Sequence, residues 1–324
     1  MGSGELDALV IDAGPDDQAL DELSAADDEW TDLEEGRVSI VRRNAGVLFV
    51  ALTSVVALGL VVLFFIVFAF GLSSVQEHRN QSQLYSELRG LLAPASTVAP
   101  WTGGDIPAGS PVALLNASAG GLHDVVVIQG TTSGLMRDGP GHLRNSPLPG
   151  QVGDSILIGR SATTGAPFAD IGNLRRGDLI TVTTGQGTFK FRVADRRVAG
   201  GALPKIPPSG SLLTMVTSVG SGTLGSIVNG HLLYVDAALT GKAVATPKGQ
   251  PTVVARSEIQ GRAEPAALPF VLLWLVALGV GLIGAVGLVN RWGWRRSWLV
   301  IAPITLAILW GLSNELLRLV PNVY

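Results

Sequence analysis

The sequence predicts a mainly β domain, a barrel or a sandwich, attached to a membrane by three apolar helices. Between residues 111 and 240, short β-branched runs alternate with Gly and Pro turns at the regular spacing of an all-β fold. Residues 45–72 and 268–289 are uncharged apolar stretches of 28 and 22 residues, each long enough to cross a hydrocarbon core of about 30 Å as a helix. Apolar residues make up 47% of the 324-residue chain before its 41 glycines are counted, which favours one domain plus membrane segments over two soluble domains.

Residues 1–43 form an acidic tail. Positions 1–36 hold 13 of the chain's 26 acidic residues and no base, the composition of a disordered cytoplasmic segment, either simply solvated or docked on a basic cytoplasmic partner. The apolar stretch at 45–72 is too long and too far along the chain for a cleaved signal peptide, and lacks a convincing small-residue cleavage site, so it reads as a retained anchor. Residues 73–110 comprise a juxtamembrane helix, with apolar positions near helical spacing over 75–92, and a linker rich in Pro, Gly, Ser and Thr. Residues 241–267 return to linker composition, 268–289 form the second span, and 290–297 form a short loop carrying Arg291, Arg295 and Arg296.

The third span, 298–320, is apolar only to Leu312. It reaches spanning length by continuing through Ser313, Asn314, Glu315 and Arg318, the last two placed three apart on one helical face near the membrane boundary. Arg37, Arg42 and Arg43 precede the first span, and the three arginines of the 290–297 loop separate the other two. Both clusters belong on the cytoplasmic side. The expectation is a three-pass plasma-membrane protein with a cytoplasmic N-terminus and an extracytoplasmic β domain. The chain has no cysteine, so that domain relies on no disulfide.

Strands are expected at 112–115, 124–129, 155–159, 178–184, 188–194, 212–217 and 231–238. Gly185-Gln186-Gly187 between the fourth and fifth predicts a hairpin, because glycine tolerates the positive φ of tight hairpin turns. A domain of this size can bury a core of its own.

Five fragments of this region then carry a resemblance. Residues 214–218 read TMVTS at the end of a β-type run and resemble the T-L-x-T-C signature of sortases, the cysteine transpeptidases that attach secreted proteins to the Gram-positive cell surface. Residues 125–132, VVVIQGTT, are similar to the strand and turn ahead of that family's active-site face, and residues 139–150, GPGHLRNSPLPG, to the GPGH…PG segment of several classes, actinobacterial ones of the E and C type included. Residues 156–168, ILIGRSATTGAPF, resemble the strand that ends in Gly-His and is followed by a Gly-x-Pro-Phe turn. Phe168, Leu174 and Arg176-Gly177-Asp178 continue the pattern to Thr184. The order and spacing of these fragments cover residues 111–239, and the resemblance implies a closed β-barrel.

The resemblance also implies three active-site positions. Arg160 stands in the place of the family's proton-handling histidine, Ser218 in that of the cysteine, and His231, opening the run HLLYVDAAL, in that of the arginine. All three residue types differ. A thiol is partly ionised near neutrality, whereas a serine hydroxyl needs a positioned base, and a guanidinium with a pKa above about 12 cannot be that base. The expectation is a pseudoenzyme that binds a peptide or protein partner, possibly resembling a sorting signal, on the extracytoplasmic side. Two alternatives stay open: a Ser-dependent transpeptidase or hydrolase in which His231 activates Ser218 and Arg160 serves the oxyanion, and an architectural subunit of a membrane assembly.

His142, in the GPGH segment, reads as structural, and His78 and His123 as solvated. With no C-x-x-C, H-E-x-x-H or acidic ligand loop, neither a metal nor a cofactor is expected. The string GSGTLG at 220–225 lacks a predicted helix after it, so it does not read as a phosphate loop. No basic, aromatic-interleaved patch points to nucleic acid. Abundant Ala, Gly, Val and Arg with few Lys suit a high-GC Gram-positive source.

Overall fold

The computed structural model describes residues 52–93, 101–202, 204–205, 207–220 and 225–324. The acidic tail, the first residues of the 45–72 span and linker residues 94–100 lie outside the described residues. Residues 63–324 form one unit, to which all packing described below belongs.

Eight strands form the domain: β1 (Pro111–Ala117), β2 (Leu122–Gln129), β3 (Gly141–His142), β4 (Gly153–Ile158), β5 (Leu179–Thr184), β6 (Gly187–Val198), β7 (Ser211–Val219) and β8 (His231–Leu239). They close in the order β1-β2-β3-β4-β7-β8-β6-β5, which decides for a barrel over a sandwich. Each of the seven predicted strands is present, and the β5–β6 hairpin turns where expected, with Gly187 at φ 131°. The barrel interior is filled by one face of each strand: Ala113 and Leu115, Leu157, Ile180 and Val182, Phe191 and Val193, Leu213 and Met215, Val235 and Ala237. Alternation therefore assigns the intervening residues of β4, β7 and β8 to the outer face.

Among the described residues, three helices are long and apolar enough to cross a membrane. Helix α1 (Leu52–Leu92) passes through a π-helical stretch at Phe68–Leu72 and continues as the polar segment Ser73–Leu92 against β1 and β2. There the Gln81 amide imitates a neighbouring strand: its Nε2 donates to Val126 O at 3.0 Å and its Oε1 accepts from Val126 N–H at 2.8 Å. The edge of β2 needs this partner, because β3 pairs with β2 only at Ile128 and Gln129.

The four-residue helix α2 (Gly225–Val228) follows β7. So a helix does follow the Gly-rich 220–225 string, although one of a single turn.

Helices α3 (Leu268–Trp292) and α4 (Trp294–Arg318) pack against each other; α3 runs past the predicted 268–289 span, while α4 begins before the predicted 298–320 span and ends short of it. The expected loop 290–297 contracts to Gly293, whose φ of 75° and ψ of 160° break the helix in one residue. The close pairing needs Gly311, since a Cβ there would lie 2.3 Å from the Trp274 ring. Glu315 and Arg318 do pair, at 2.8 Å, as their spacing predicts. Arg318 also holds Glu264 at 2.6 Å, and Phe68 meets Trp310 edge to face at 4.9 Å. With three such helices, "mainly β" describes the barrel and not the whole chain, which mixes α and β.

Candidate functional site

The ends of β4 and β7 lie side by side. These strands are parallel with Ile158 opposite Val216. Pairing continues one step further, because Gly159 N–H donates to Val216 O at 3.0 Å and the Thr217 hydroxyl donates to Gly159 O at 3.0 Å. Arg160 and Ser218 follow at the next position of each strand. Both fall on the outer face with Ile158 and Val216, on neighbouring strands about 4.8 Å apart.

The turn after Arg160 is fixed by close packing. A Cβ at Gly159 would stand 2.2 Å from the Phe168 ring, and Phe168 N–H donates to Arg160 O at 3.0 Å, so the Gly-Arg and Pro-Phe ends of the 156–168 segment close on each other. This is the physical content of that motif: glycine allows the aromatic ring to cover the strand end.

Arg160 is fully buried. Its Nη1 donates to Thr163 Oγ1 at 3.0 Å, and its Nη2 to Ser133 O at 2.8 Å and Ser133 Oγ at 2.7 Å, while Nε has no hydrogen-bond partner. Among the described residues no carboxylate lies within ion-pair distance of it. Burial, and then the positive charge of Arg137, push its pKa down to about 10, which still leaves it a cation at neutral pH. The position therefore holds a fixed charge solvated by neutral oxygens.

Ser218 is 1% exposed, and its Oγ–H donates to Ser226 O at 2.7 Å. The chain crosses directly over it, since a Cβ at Gly230 would lie 2.3 Å from Ser218 Oγ. His231 does not join it. On β8 the residue opposite Ser218 is Leu232, while His231 stands opposite Val219, is exposed, and shares the strand parity of Leu233 and Val235, which face the barrel interior. The structure thus brings Arg160 and Ser218 together and leaves His231 on the other face of its strand.

Arg197 of β6 supplies a guanidinium to the outer face of β8, 4.3 Å above the Tyr234 ring. It is already bound to Asp236 at 2.7 Å.

Residues 118–221 match the family model described as the sortase domain. This segment is a sortase domain. The match ends just past Ser218 and so includes both strand ends of the site. Solved sortase structures are similar to about half of this chain. They include the sortase D5 transpeptidase of Clostridium perfringens (20% identity, TM-score 0.41, 50% of this chain and 99% of that one). Sortase E of Streptomyces avermitilis aligns at 26% identity and TM-score 0.35, over 44% of this chain and 99% of that one. Sortase C-1 of Actinomyces oris aligns at 24% identity and TM-score 0.35, over 51% and 99%. No curated protein gives a significant match.

The other histidines of the sortase domain and its flanks fall where their chemistry suggests. His78 and His123 are exposed. His142 is 1% exposed, with Nδ1 2.8 Å from the Gln129 side-chain amide and Nε2 3.0 Å from Pro147 O. Burial lowers its pKa to about 4, partly opposed by the Pro147 carbonyl, so it is a neutral structural ring. Among the described residues no group of three or more His, Cys, Asp or Glu could hold a metal ion.

Sequence reasoning missed the residues that hold Arg160, namely Ser133 and Thr163. Thr163 lies inside the quoted 156–168 fragment and Ser133 just past the quoted 125–132 fragment, but isolated hydroxyls in turns carry no spacing signal. It also passed over residues 320–324, which lie at this site: Ser133 Oγ is 2.6 Å from Val320 O, and Thr163 Oγ1 donates to Tyr324 O at 2.6 Å.

Proposed function

We propose that the chain is a membrane-anchored sortase-type protein of the bacterial cell surface that performs no transpeptidation. In this role it binds a peptide or protein partner during surface-protein attachment or envelope assembly. The observation that carries this is the placement of Arg160 and Ser218 at the adjoining ends of β4 and β7. A weak nucleophile sits beside a residue that stays protonated, and its own proton is committed to the Ser226 carbonyl. The Ser-dependent alternative needs an imidazole within hydrogen-bond reach of Ser218, and the β8 register directs His231 away from it. Three apolar helices support membrane anchoring, and the arginine clusters favour a cytoplasmic N-terminus with the barrel outside.

The test is turnover by the purified full chain in detergent, given LPxTG-type sorting-signal peptides and a glycine nucleophile. Cleavage and transfer should both stay at the buffer rate. Turnover that disappears in Ser218→Ala would overturn the proposal.

A further inference from the structure

Beside Arg160, the outer face of β4 and β7 is covered by the chain's own residues 320–324, which follow α4. Val323 is 1% exposed and packs with Met136, Ile158 and Val216, with Ile156, Leu232 and Tyr234 around them. Ile158 and Val216 immediately precede the strand ends that carry Arg160 and Ser218. Val323 therefore fills the apolar floor of the site described above.

The segment is held through its backbone. Val323 O accepts from Ser161 N–H at 3.2 Å and from the Ser161 hydroxyl at 3.1 Å, and Tyr324 O accepts from Thr163 Oγ1 at 2.6 Å. Asn322, fully buried, donates from Nδ2 to Thr131 O at 2.7 Å and accepts at Oδ1 from Gly261 N–H at 2.9 Å. Backbone contacts with one apolar slot and one amide pocket are how a groove reads an extended peptide.

Arg160 has a role in this arrangement. Its Nη1 donates to the same Thr163 hydroxyl that donates to Tyr324 O, and its Nη2 to the same Ser133 hydroxyl that faces Val320 O. A hydroxyl that accepts from a cation is the stronger donor, so the buried charge acts on the segment through two relays. This gives a reason for a guanidinium at the strand end.

We infer that the cleft at the ends of β4 and β7 is a binding site for a short peptide of the pattern Pro-Asn-Val-Tyr. The site is occupied in cis by residues 320–324, with Ser133 anchoring Val320, Thr163 anchoring Tyr324, and Arg160 behind both hydroxyls. The assignment deepens the peptide-binding proposal and rests on it only for the expectation that outside peptides compete for the same cleft.

The absence of cysteine gives a clean reporter. In the full chain, a thiol introduced by Val216→Cys beneath Val323 should react with a maleimide as slowly as one introduced by Met215→Cys inside the barrel. Adding Val323→Lys, which puts a cation into the apolar cluster of Met136, Ile158 and Val216, should raise the Val216→Cys rate about tenfold or more and leave the Met215→Cys rate low. A synthetic hexapeptide, Leu-Val-Pro-Asn-Val-Tyr, should then restore protection, and the same peptide with Lys for Val should not.

Three outcomes would contradict the inference. Unchanged protection of Val216→Cys in the Val323→Lys background would mean that the segment does not cover the floor. Exposure of both reporters would mean that it is a structural wall and not a ligand, and failure of the peptide to protect would mean that no recognition site exists. None of these depends on turnover, so a catalytically active chain would sink the previous proposal and leave this result standing.

Discussion

An imidazole can take and return a proton near neutral pH, and a guanidinium cannot, so the strand end at Arg160 carries a fixed charge and no proton carrier. Two ionisable groups elsewhere in the barrel, His142 and Asp154, predict a measurable pH dependence. His142 has its pKa lowered from the ordinary 6.5 to about 4, chiefly by burial. The fold thus prefers the neutral ring, and its contribution is lost as pH falls from about 6.5 through 4, by roughly 3 kcal/mol at full extent. Asp154 acts in the opposite sense. Burial, with the nearby Asp236 adding to it, raises its pKa from 3.8 to about 6, against the opposing Thr214 hydrogen bond and Arg197 charge. The fold prefers this carboxyl protonated, and that contribution is lost as pH rises through 6. Thermal unfolding of the full chain in detergent between pH 4 and 6.5 should show this directly. Relative to wild type, His142→Gln should lose stability as pH rises, and Asp154→Asn should gain it. Parallel curves for all three proteins would remove both assignments.

At the scale of elements, the strands were legible because each has several residues of period-two alternation or a continuous buried run between turn residues. β3 was not, since two residues carry no period. Residue positions on β8 show the limit more sharply. Sequence can place His231 at the start of a strand, but only the β7–β8 register shows that Leu232, and not His231, stands opposite Ser218. A one-residue step inverts the face, and no sequence pattern across the Gly- and Ser-rich loop between these strands fixes that step. The end of α4 was partly legible: the spacing of Glu315 and Arg318 predicts their pairing, whereas the reach of Arg318 to Glu264, across 54 positions, is a product of the fold. The Gly159–Phe168 contact was visible only as a motif. Its packing now predicts that Gly159→Ala destabilises the folded chain by about 1–3 kcal/mol, because the new methyl group must displace a buried ring. A melting temperature within a degree of wild type would show that the ring can yield without cost.

At the scale of the molecule, the apolar helices account for most of the exposed large hydrophobic side chains, as expected of surfaces that meet lipid. The proposed orientation is testable by labelling, and the structure restricts where the thiol can be placed. Ser133 is fully buried in the Arg160 network and would be a poor reporter for the barrel side, whereas Lys242 is exposed. In intact cells an impermeant maleimide should label Lys242→Cys and spare Ser24→Cys. The reverse pattern would invert the topology.

The central proposal is that this sortase domain performs no transpeptidation, and intact-mass measurement tests it most directly. The full chain, incubated with a sorting-signal peptide and no nucleophile, should keep its unmodified mass, since the Ser218 hydroxyl donates to the Ser226 carbonyl and is covered by the chain at Gly230. A mass increase equal to the peptide acyl group, mapped to Ser218 and absent in Ser218→Ala, would contradict the account.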